Sequence, residues 1–141
     1  MAKITVYLHR PENPRITFAA TFDVEPAERF SFRFSALKNV LDKTVPIPGL
    51  NGPNITYNAV ESAIQSGAFY ARHKAQIKSC SVDLIAFSLS GHTADVMPFA
   101  VATTVAVYEA IRRLRQYTAN ELSGWKVVSL QNAADDTDAA K

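Results

Sequence analysis

Alternating apolar and polar positions at the start of the chain predict β-strands. Residues 3–8 and 15–24 place an apolar side chain at every second position, which is the pattern of a strand with one buried face. Phe30, Phe32 and Phe34 alternate with polar residues in the same way and predict a third strand. Two prolines and an asparagine separate the first two strands. We expect the three strands to pair in sequence as an antiparallel meander.

Two later segments have the composition of helices. In residues 54–67, Asn54 is a suitable N-cap, the apolar residues recur at helical spacing, and Gly67 can end the helix. Residues 97–117 are apolar on almost every side over most of their length, with Pro98 in the first turn, where a missing N–H costs little. A helix so apolar must be buried on more than one side.

The remaining segments complete an alternation of strands and helices. Residues 69–74 contain aromatic and basic side chains and are interpreted as a linker after the first helix. Residues 77–89 have the apolar and β-branched content of a long buried strand, and residues 125–130 predict a final short strand. The element order is βββαβαβ. It predicts an α+β fold, a two-layer sandwich in which two helices cover one face of a mixed four- to five-stranded sheet.

Length and composition indicate one domain that needs no disulfide or metal to fold. The chain has 141 residues, of which 48% are hydrophobic and 20% charged, so it can bury a core and is too apolar to be disordered. We expect a single domain over residues 1–130 and a mobile acidic tail over residues 131–141. Cys80 is the only cysteine, the N-terminus opens no signal peptide, and no apolar run reaches the roughly 18 residues of a membrane span. A cytoplasmic protein is therefore expected.

The charge is unevenly distributed along the chain. The net charge is +2, but three acidic residues fall in the tail, so residues 1–130 carry fourteen Lys and Arg against ten Asp and Glu, or +4. This excess is compatible with a polyanionic partner and also with an ordinary solvated surface. Arg112, Arg113 and Arg115 cluster near the end of the second predicted helix, where they could grip phosphates or complement the helix dipole.

The sequence contains no motif of a familiar catalytic or cofactor site. A P-loop, a G-x-G-x-x-G turn, zinc-ligand spacing and a G-x-S-x-G elbow are all absent from it, so no cofactor or metal is expected and the chain is not expected to be an enzyme. A small active site would have only Cys80, Asp83 and His92 to draw on. Each has a structural alternative. Cys80 can be a small side chain on a sheet face, Asp83 an acceptor for a neighbouring strand or an exposed edge residue, and His92 an exposed turn residue.

Several short patterns follow one another in the order found in one family of translation factors. They are a strand ending in Val24-Glu25-Pro26, a helix over residues 58–67 with its closing glycine, a strand containing Val82-Asp83, a tip with Gly91-His92, and a small-residue helix that starts from Phe99. Together they span most of residues 16–113. This stretch resembles domain IV of translation elongation factor G.

The resemblance implies a ribosomal-protein-like βαβ sandwich with a left-handed parallel connection, contrary to the usual rule. It also implies a domain without catalytic chemistry that reaches the decoding centre and contacts RNA with its loop tips, one of which carries a histidine that His92 matches. Two features of the family are missing from this chain. Residues 10–14 stand in place of a Gly-rich, Arg-containing loop. We also expect no GTPase domain and therefore no nucleotide-driven translocation.

Three functions are compatible with these residues. The one we favour is a non-catalytic module that binds RNA, including ribosomal RNA, with no nucleotide cofactor and no membrane. Its predicted contacts are a loop tip and a set of basic side chains, namely Gly91, His92, Thr93, Arg72, Lys74, Arg112 and Arg113. The second is a protein-interaction or oligomeric module that buries its open sheet face, or its phenylalanine-rich strand, against a partner or a second copy. The third is a small enzyme. A continuous positive patch would favour RNA, and an exposed apolar sheet face a protein partner.

Overall fold

The chain folds as a mixed sheet with helices on one side. The structure is a computed structural model, and it describes residues 2–10, 16–37, 42–48, 50, 54–76, 79–91, 96–112, 122 and 124–132. Within these residues the elements are β1 (Ala2–Arg10), β2 (Ile16–Pro26), β3 (Ser31–Arg33), α1 (Tyr57–Ala75), β4 (Cys80–Ser90), α2 (Met97–Val107) and β5 (Lys126–Asn132). A 3₁₀ turn, Ser35–Leu37, follows β3, and a π-helical turn, Tyr108–Arg112, continues α2. The predicted α+β class with five strands and two helices is confirmed.

The strand order of the sheet is β3-β4-β2-β1-β5. Neighbouring strands are antiparallel except β3 and β4, which are parallel and are connected through α1. The predicted meander is therefore wrong at its third strand, because β4 lies between β2 and β3. Strand length accounts for the difference. β4 pairs with β2 along its whole length, through ten of its 11 residues, whereas β3 has three residues and leaves few backbone groups without a partner at the edge.

One face of the sheet is buried beneath the helices. The alternation predicted from the sequence places Ile4, Val6 and Leu8 of β1 on this face, together with the even-numbered residues of β2 from Ile16 to Val24. α2 packs directly against both strands, and α1 packs against α2. None of the described elements covers the other face of the sheet, which we call the open face.

A β-bulge in β4 keeps its apolar residues on the buried face. The pairing with β2 skips Ile85, which is an extra residue in the strand. Val82 and Leu84 are buried before the bulge, and Phe87 and Leu89 pack against the core after it. Without the extra residue, the second half of β4 would turn its apolar side chains to the open face.

α1 is longer than the sequence predicts. It runs over Tyr57–Ala75, and Thr56 is its N-cap, with a side-chain oxygen that accepts a hydrogen bond from the helix backbone at 3.1 Å. The predicted cap at Asn54 and the predicted end at Gly67 are both wrong. Residues 69–74, interpreted as a linker, form the last turns of the helix instead. The helix continues because buried alanines beyond the glycine still pack against the core.

Gly67 is the point of closest approach between the two helices. A Cβ atom at this position would lie 2.4 Å from the backbone oxygen of Ala100 and 3.0 Å from the Cβ of Thr103. The hydroxyl of Thr104 donates a hydrogen bond across the same contact to the Gly67 carbonyl oxygen, at 3.0 Å. The glycine therefore permits helix packing rather than ending the helix.

α2 is buried on almost every side, as its composition predicts. Nine of its eleven residues are buried. The ring of Phe99 lies 4.8 Å from that of Phe18 and 5.2 Å from that of Phe87, measured between centroids. The π-helical turn that follows holds Tyr108 and Glu109 in the core.

β5 ends at Asn132, two residues beyond the predicted strand. The rest of the predicted tail, residues 133–141, lies outside the described residues, as do residues 113–117 of the second predicted helix. No helix in the part of the chain that the structure describes is long and apolar enough to cross a membrane.

Candidate nucleic-acid interface

The predicted RNA contacts that the structure describes fall at two ends of the sheet. We call the end at which β1 and β4 finish, at Arg10 and Ser90, the upper end, and the end at which they begin the lower end. Gly91 follows β4 at the upper end with a φ of 105°, which glycine adopts without strain. Arg72 and Lys74 are exposed in the last turn of α1, which leads to the lower end of β4.

The other predicted contacts are His92, Thr93, Arg113 and the side chain of Arg112, and these lie outside the described residues. β4 has 11 residues, so at about 3.3 Å per residue its two ends are roughly 30 Å apart. A ligand that contacts both Gly91 and Arg72 has to run the length of the sheet. A strand of nucleic acid can do so, and a small molecule cannot.

A ladder of aromatic rings lies at the lower part of the sheet edge, where β3 is the outermost of the described strands. Phe30, Phe32 and Phe34 stack in succession, with ring centroids 5.7 and 6.5 Å apart. Phe69 of α1 meets Phe30 edge-on, at 4.7 Å. We call these four residues the aromatic edge. Phe69 is 47% exposed, so the cluster is open to solvent on the side of α1.

Arg72 lies over the aromatic edge. The carbon of its guanidinium group is 5.6 Å from the centre of the Phe30 ring, within the range of a cation–π interaction. Tyr70 is 41% exposed nearby on α1, and His73 and Lys74 complete a basic last turn. Cations here complement the helix dipole. They also place positive charge beside a flat aromatic surface, which suits a phosphate and an unpaired base.

A row of charges crosses the lower end of the open face. Lys3, Asp23, Asp83 and Arg33 occupy facing positions on β1, β2, β4 and β3. The two carboxylates are thus flanked by cations, which offsets the repulsion between like charges on facing positions. Ser35 donates to both Asp83 oxygens, from its N–H at 3.1 Å and its hydroxyl at 2.8 Å. Asp83 therefore anchors the turn that directly follows β3, so its role here is structural.

The upper half of the open face contains a hollow of about 520 Å³. The lining residues that belong to the open face are Tyr7, His9, Thr17, Ala19, Ser88, Ser90 and Val128. We call this space the upper hollow. Three of these residues, Thr17, Ser88 and Ser90, carry a hydroxyl group. None of the described residues that line the hollow is acidic.

Cys80 and Asp83, the two candidate catalytic residues that the structure describes, lie on opposite faces of β4. Cys80 is buried on the helix side of β4, and burial raises the pKa of its thiol to about 11. Only roughly one thiol in ten thousand is then ionised at pH 7. Asp83 lies on the opposite face of the same strand, and His92 lies outside the described residues. No group of three or more metal-ligating side chains occurs within the described ranges.

No protein-family model matches this chain, and no curated protein matches it. The functional interpretation therefore rests on the geometry of the aromatic edge and of the upper hollow.

Two features of these surfaces escaped prediction from the sequence. Phe69 falls in the predicted linker, because the sequence predicts that the helix ends at Gly67. Its three-residue spacing from Arg72 is nevertheless a helical signal, since residues three apart share a helix face. The upper hollow has no comparable signal, because its walls come from four strands that are distant in sequence.

Proposed function

We propose that this protein is a non-catalytic RNA-binding module that resembles domain IV of elongation factor G. The observation that carries the proposal is the position of Arg72, whose guanidinium group lies over the Phe30 ring one helical turn after the exposed ring of Phe69. A guanidinium group beside an accessible aromatic ring matches a phosphate beside an unpaired base.

The distribution of charge supports the proposal. Residues 1–130 carry a net charge of +4, and the last turn of α1 gathers Arg72, His73 and Lys74 on the surface. Lysine and arginine side chains that neutralise phosphates release counterions from the nucleic acid, and this release drives binding. The affinity should therefore fall as the salt concentration rises.

Two features of the fold agree with the resemblance on which the proposal draws. β3 and β4 form a parallel pair connected through α1, as a βαβ sandwich of this kind requires. Gly91 directly follows β4, where the RNA-contacting tip of the family is expected. The proposed interface therefore includes the tip Gly91-His92-Thr93 together with Lys74, Arg112 and Arg113. A left-handed crossover and a cytoplasmic location belong to the same proposal.

The test is the affinity of the whole chain for a fluorescent single-stranded RNA, measured by anisotropy at about 50 and about 200 mM salt. Phe69→Ala should weaken binding by about fivefold or more with little change in the salt dependence, because it removes a stacking surface and no charge. Arg72→Ala should weaken binding and also reduce the salt slope by about one, because it removes one phosphate contact.

Arg33→Ala is the matched control for Arg72→Ala. Arg33 is an exposed arginine in the edge strand, but its side chain belongs to the open face. Its loss should change the affinity much less than the loss of Arg72. Equal losses in the two variants would show a general effect of charge and contradict a defined contact at the aromatic edge.

The loop tip is tested in the same assay. His92→Ala should weaken binding with little change in the salt slope, since a neutral histidine contributes contacts rather than charge. Replacing Arg112 and Arg113 together with alanine should reduce the slope by up to about two. A complete absence of RNA binding at low salt would contradict the proposed function.

A protein-interaction module is the second candidate function, and one observation favours it. β3 is at the edge of the described sheet and carries part of a ladder of apolar rings. A free strand edge is a template for pairing with another chain. A stable dimer in sedimentation experiments, together with no RNA binding at low salt, would favour this function over RNA binding.

A further inference from the structure

We propose that the upper hollow binds a nucleotide, with the base against the ring of Tyr7 and the phosphate toward Lys126 and His9. The site is separate from the aromatic edge, which lies at the lower end on the helix side of the sheet. The inference deepens the proposed function and rests on it for the source of the nucleotide, an unpaired residue of RNA. A free mononucleotide has the same chemistry and is distinguished from RNA by the experiment below.

The ring of Tyr7 is surrounded by small side chains on the open face. Its facing partners are Ala19 on β2 and Ser129 on β5, and Ala19 in turn faces Ser88 on β4. A large ring among small neighbours leaves space beside it. The resulting volume of about 520 Å³ falls within the range of ordinary small-molecule sites. A flat ligand such as a nucleobase can therefore lie against the tyrosine ring.

The polar groups around the hollow suit the edge of a base. Thr17, Ser88 and Ser90 each carry a hydroxyl, which can both donate and accept hydrogen bonds. The ring atoms of nucleobases offer donors and acceptors in the same plane. Val128, 64% exposed at the bulge between β5 and β1, adds an apolar wall on the far side of the tyrosine. Rotatable hydroxyls do not select one base, so modest base preference is expected.

Charge places the phosphate at the upper end. Lys126 faces His9 across the β1–β5 pair, at the rim of the hollow, and is exposed. The described carboxylates of the open face, Asp23, Glu25 and Asp83, all lie at the lower end. An anion is thus attracted to the upper end and repelled from the lower end. This complementarity favours a nucleotide over a neutral aromatic ligand.

The test is a titration of the isotope-labelled whole chain, followed by two-dimensional NMR of the backbone amides. The probes are AMP, adenosine, and an oligoadenylate of about eight nucleotides. AMP should shift the amide signals of Thr17, Ser88 and Ser90 in a saturable manner. Adenosine should shift the same signals with a weaker affinity, because it lacks the phosphate.

Three variants sharpen the assignment. Tyr7→Phe keeps the stacking surface and should bind AMP nearly as well as the wild type, whereas Tyr7→Ala should lose about tenfold or more. Ala19→Leu keeps the tyrosine and fills the hollow, so it should lose binding while the other amide signals stay in place. Lys126→Ala should weaken the binding of AMP and leave that of adenosine unchanged.

The outcomes separate this inference from the proposed function. If the oligonucleotide shifts only amide signals at the aromatic edge, and no probe shifts those of the upper hollow, the inference is overturned and the proposed function stands. If AMP binds in the hollow and no oligonucleotide binds anywhere, the nucleotide site is supported as a site for free nucleotide, and the proposed function fails. If no probe shifts any amide signal, both the nucleotide site and the proposed function are overturned.

Discussion

Odd and even positions of β1 and β2 face different environments in this fold. On the helix side, Val6, Leu8 and Phe22 are buried, and α2 packs against both strands. On the open side, the same strands present Tyr7 and several hydroxyls around a hollow, with most of the charge at the lower end. The helix side is close-packed and intolerant of added atoms, whereas the open side keeps space and polar groups that a ligand can use. Stability and binding should therefore respond to different substitutions.

The largest effect is expected from Phe99→Ala. The ring is fully buried between Phe18 and Phe87, so its removal leaves a cavity and should lower the free energy of unfolding by about 3–5 kcal/mol. Phe69→Ala, at a ring that is 47% exposed, should lower it by about 1 kcal/mol. Urea unfolding of both variants checks the contrast. A loss below about 1 kcal/mol for Phe99→Ala would mean that α2 is docked differently.

The next effect is chemical and compares two cysteine positions on β4. Burial raises the pKa of the Cys80 thiol from 9.0 to about 11. At about pH 8 its thiolate fraction, and hence its alkylation by iodoacetamide, should be about a hundredfold below that of the unfolded chain. A variant with Cys80→Ala and Ser88→Cys moves the thiol to the open face and should react nearly as fast as a free thiol. Equal rates in the two folded proteins would contradict the burial of Cys80.

The pKa of Cys80 also determines a pH dependence of stability. In the folded state the Cys80 thiol keeps its proton up to about pH 11, whereas in the unfolded state it loses the proton above about pH 9.0. The stability that this thiol contributes is therefore complete below pH 9.0 and is lost as the pH rises toward 11. The midpoint of unfolding should therefore fall more steeply over this range in the wild type than in Cys80→Ala. Parallel curves for the two proteins would count against the raised pKa.

A smaller loss is expected from Gly67→Ala. Alanine normally favours a helix over glycine by about 1 kcal/mol, but here its Cβ would meet the Ala100 backbone at 2.4 Å. The helices must then move apart, and the net change should be a destabilisation of about 1–3 kcal/mol. Ser66→Ala, on the exposed side of the same helix turn, is the control and should change stability by less than about 0.5 kcal/mol. A stabilised Gly67→Ala protein would show that α1 and α2 do not touch here.

The smallest effect tests the charged row of the open face. Ser35→Ala removes the hydroxyl hydrogen bond to Asp83 and leaves the one from the backbone, so it should destabilise the fold by about 1 kcal/mol. Ser81 lies two residues before Asp83 on the same face of β4, and Ser81→Ala should leave the stability nearly unchanged. If both serines can be replaced without loss, Asp83 has no anchoring role and its part in the turn after β3 must be reconsidered.

The alternation of apolar residues was sufficient to predict β1 and β2 and their buried faces. The apolar and β-branched content of residues 77–89 was sufficient to predict β4, and the all-round apolar surface of α2 was sufficient to predict its burial. The position of β3 was not predictable in this way. The periodicity of apolar residues shows which face of a strand is buried, but it does not show which strand lies beside it. Strands that are consecutive in the sequence were therefore expected to pair, whereas β4 lies between β2 and β3. The extent of α1 was missed for a related reason. Gly67 has the same local signature whether it ends a helix or admits a neighbouring helix, and only the contact with Ala100 decides between them.

The candidate surfaces were predictable to different degrees. Arg72 and Lys74 were identified from composition, and Phe30 and Phe32 from alternation, but their meeting depends on the crossing of α1 over β3. The upper hollow depends on three strand registers and on two bulges, at Ile85 and Val128. A shift of one residue in any register would exchange the two faces of a strand, so no reading of a single segment could locate the hollow.

The most direct measurement of RNA binding is ultraviolet cross-linking of the whole chain to single-stranded RNA at about 50 mM salt, with the cross-linked residues mapped by mass spectrometry. Zero-length cross-links form where a base contacts an aromatic ring. We expect cross-links at Phe69 or Tyr70 that weaken as the salt concentration rises and are lost in Arg72→Ala. An absence of cross-links at low salt, or cross-links confined to residues outside the aromatic edge, Tyr70, the loop tip and the upper hollow, would contradict the account.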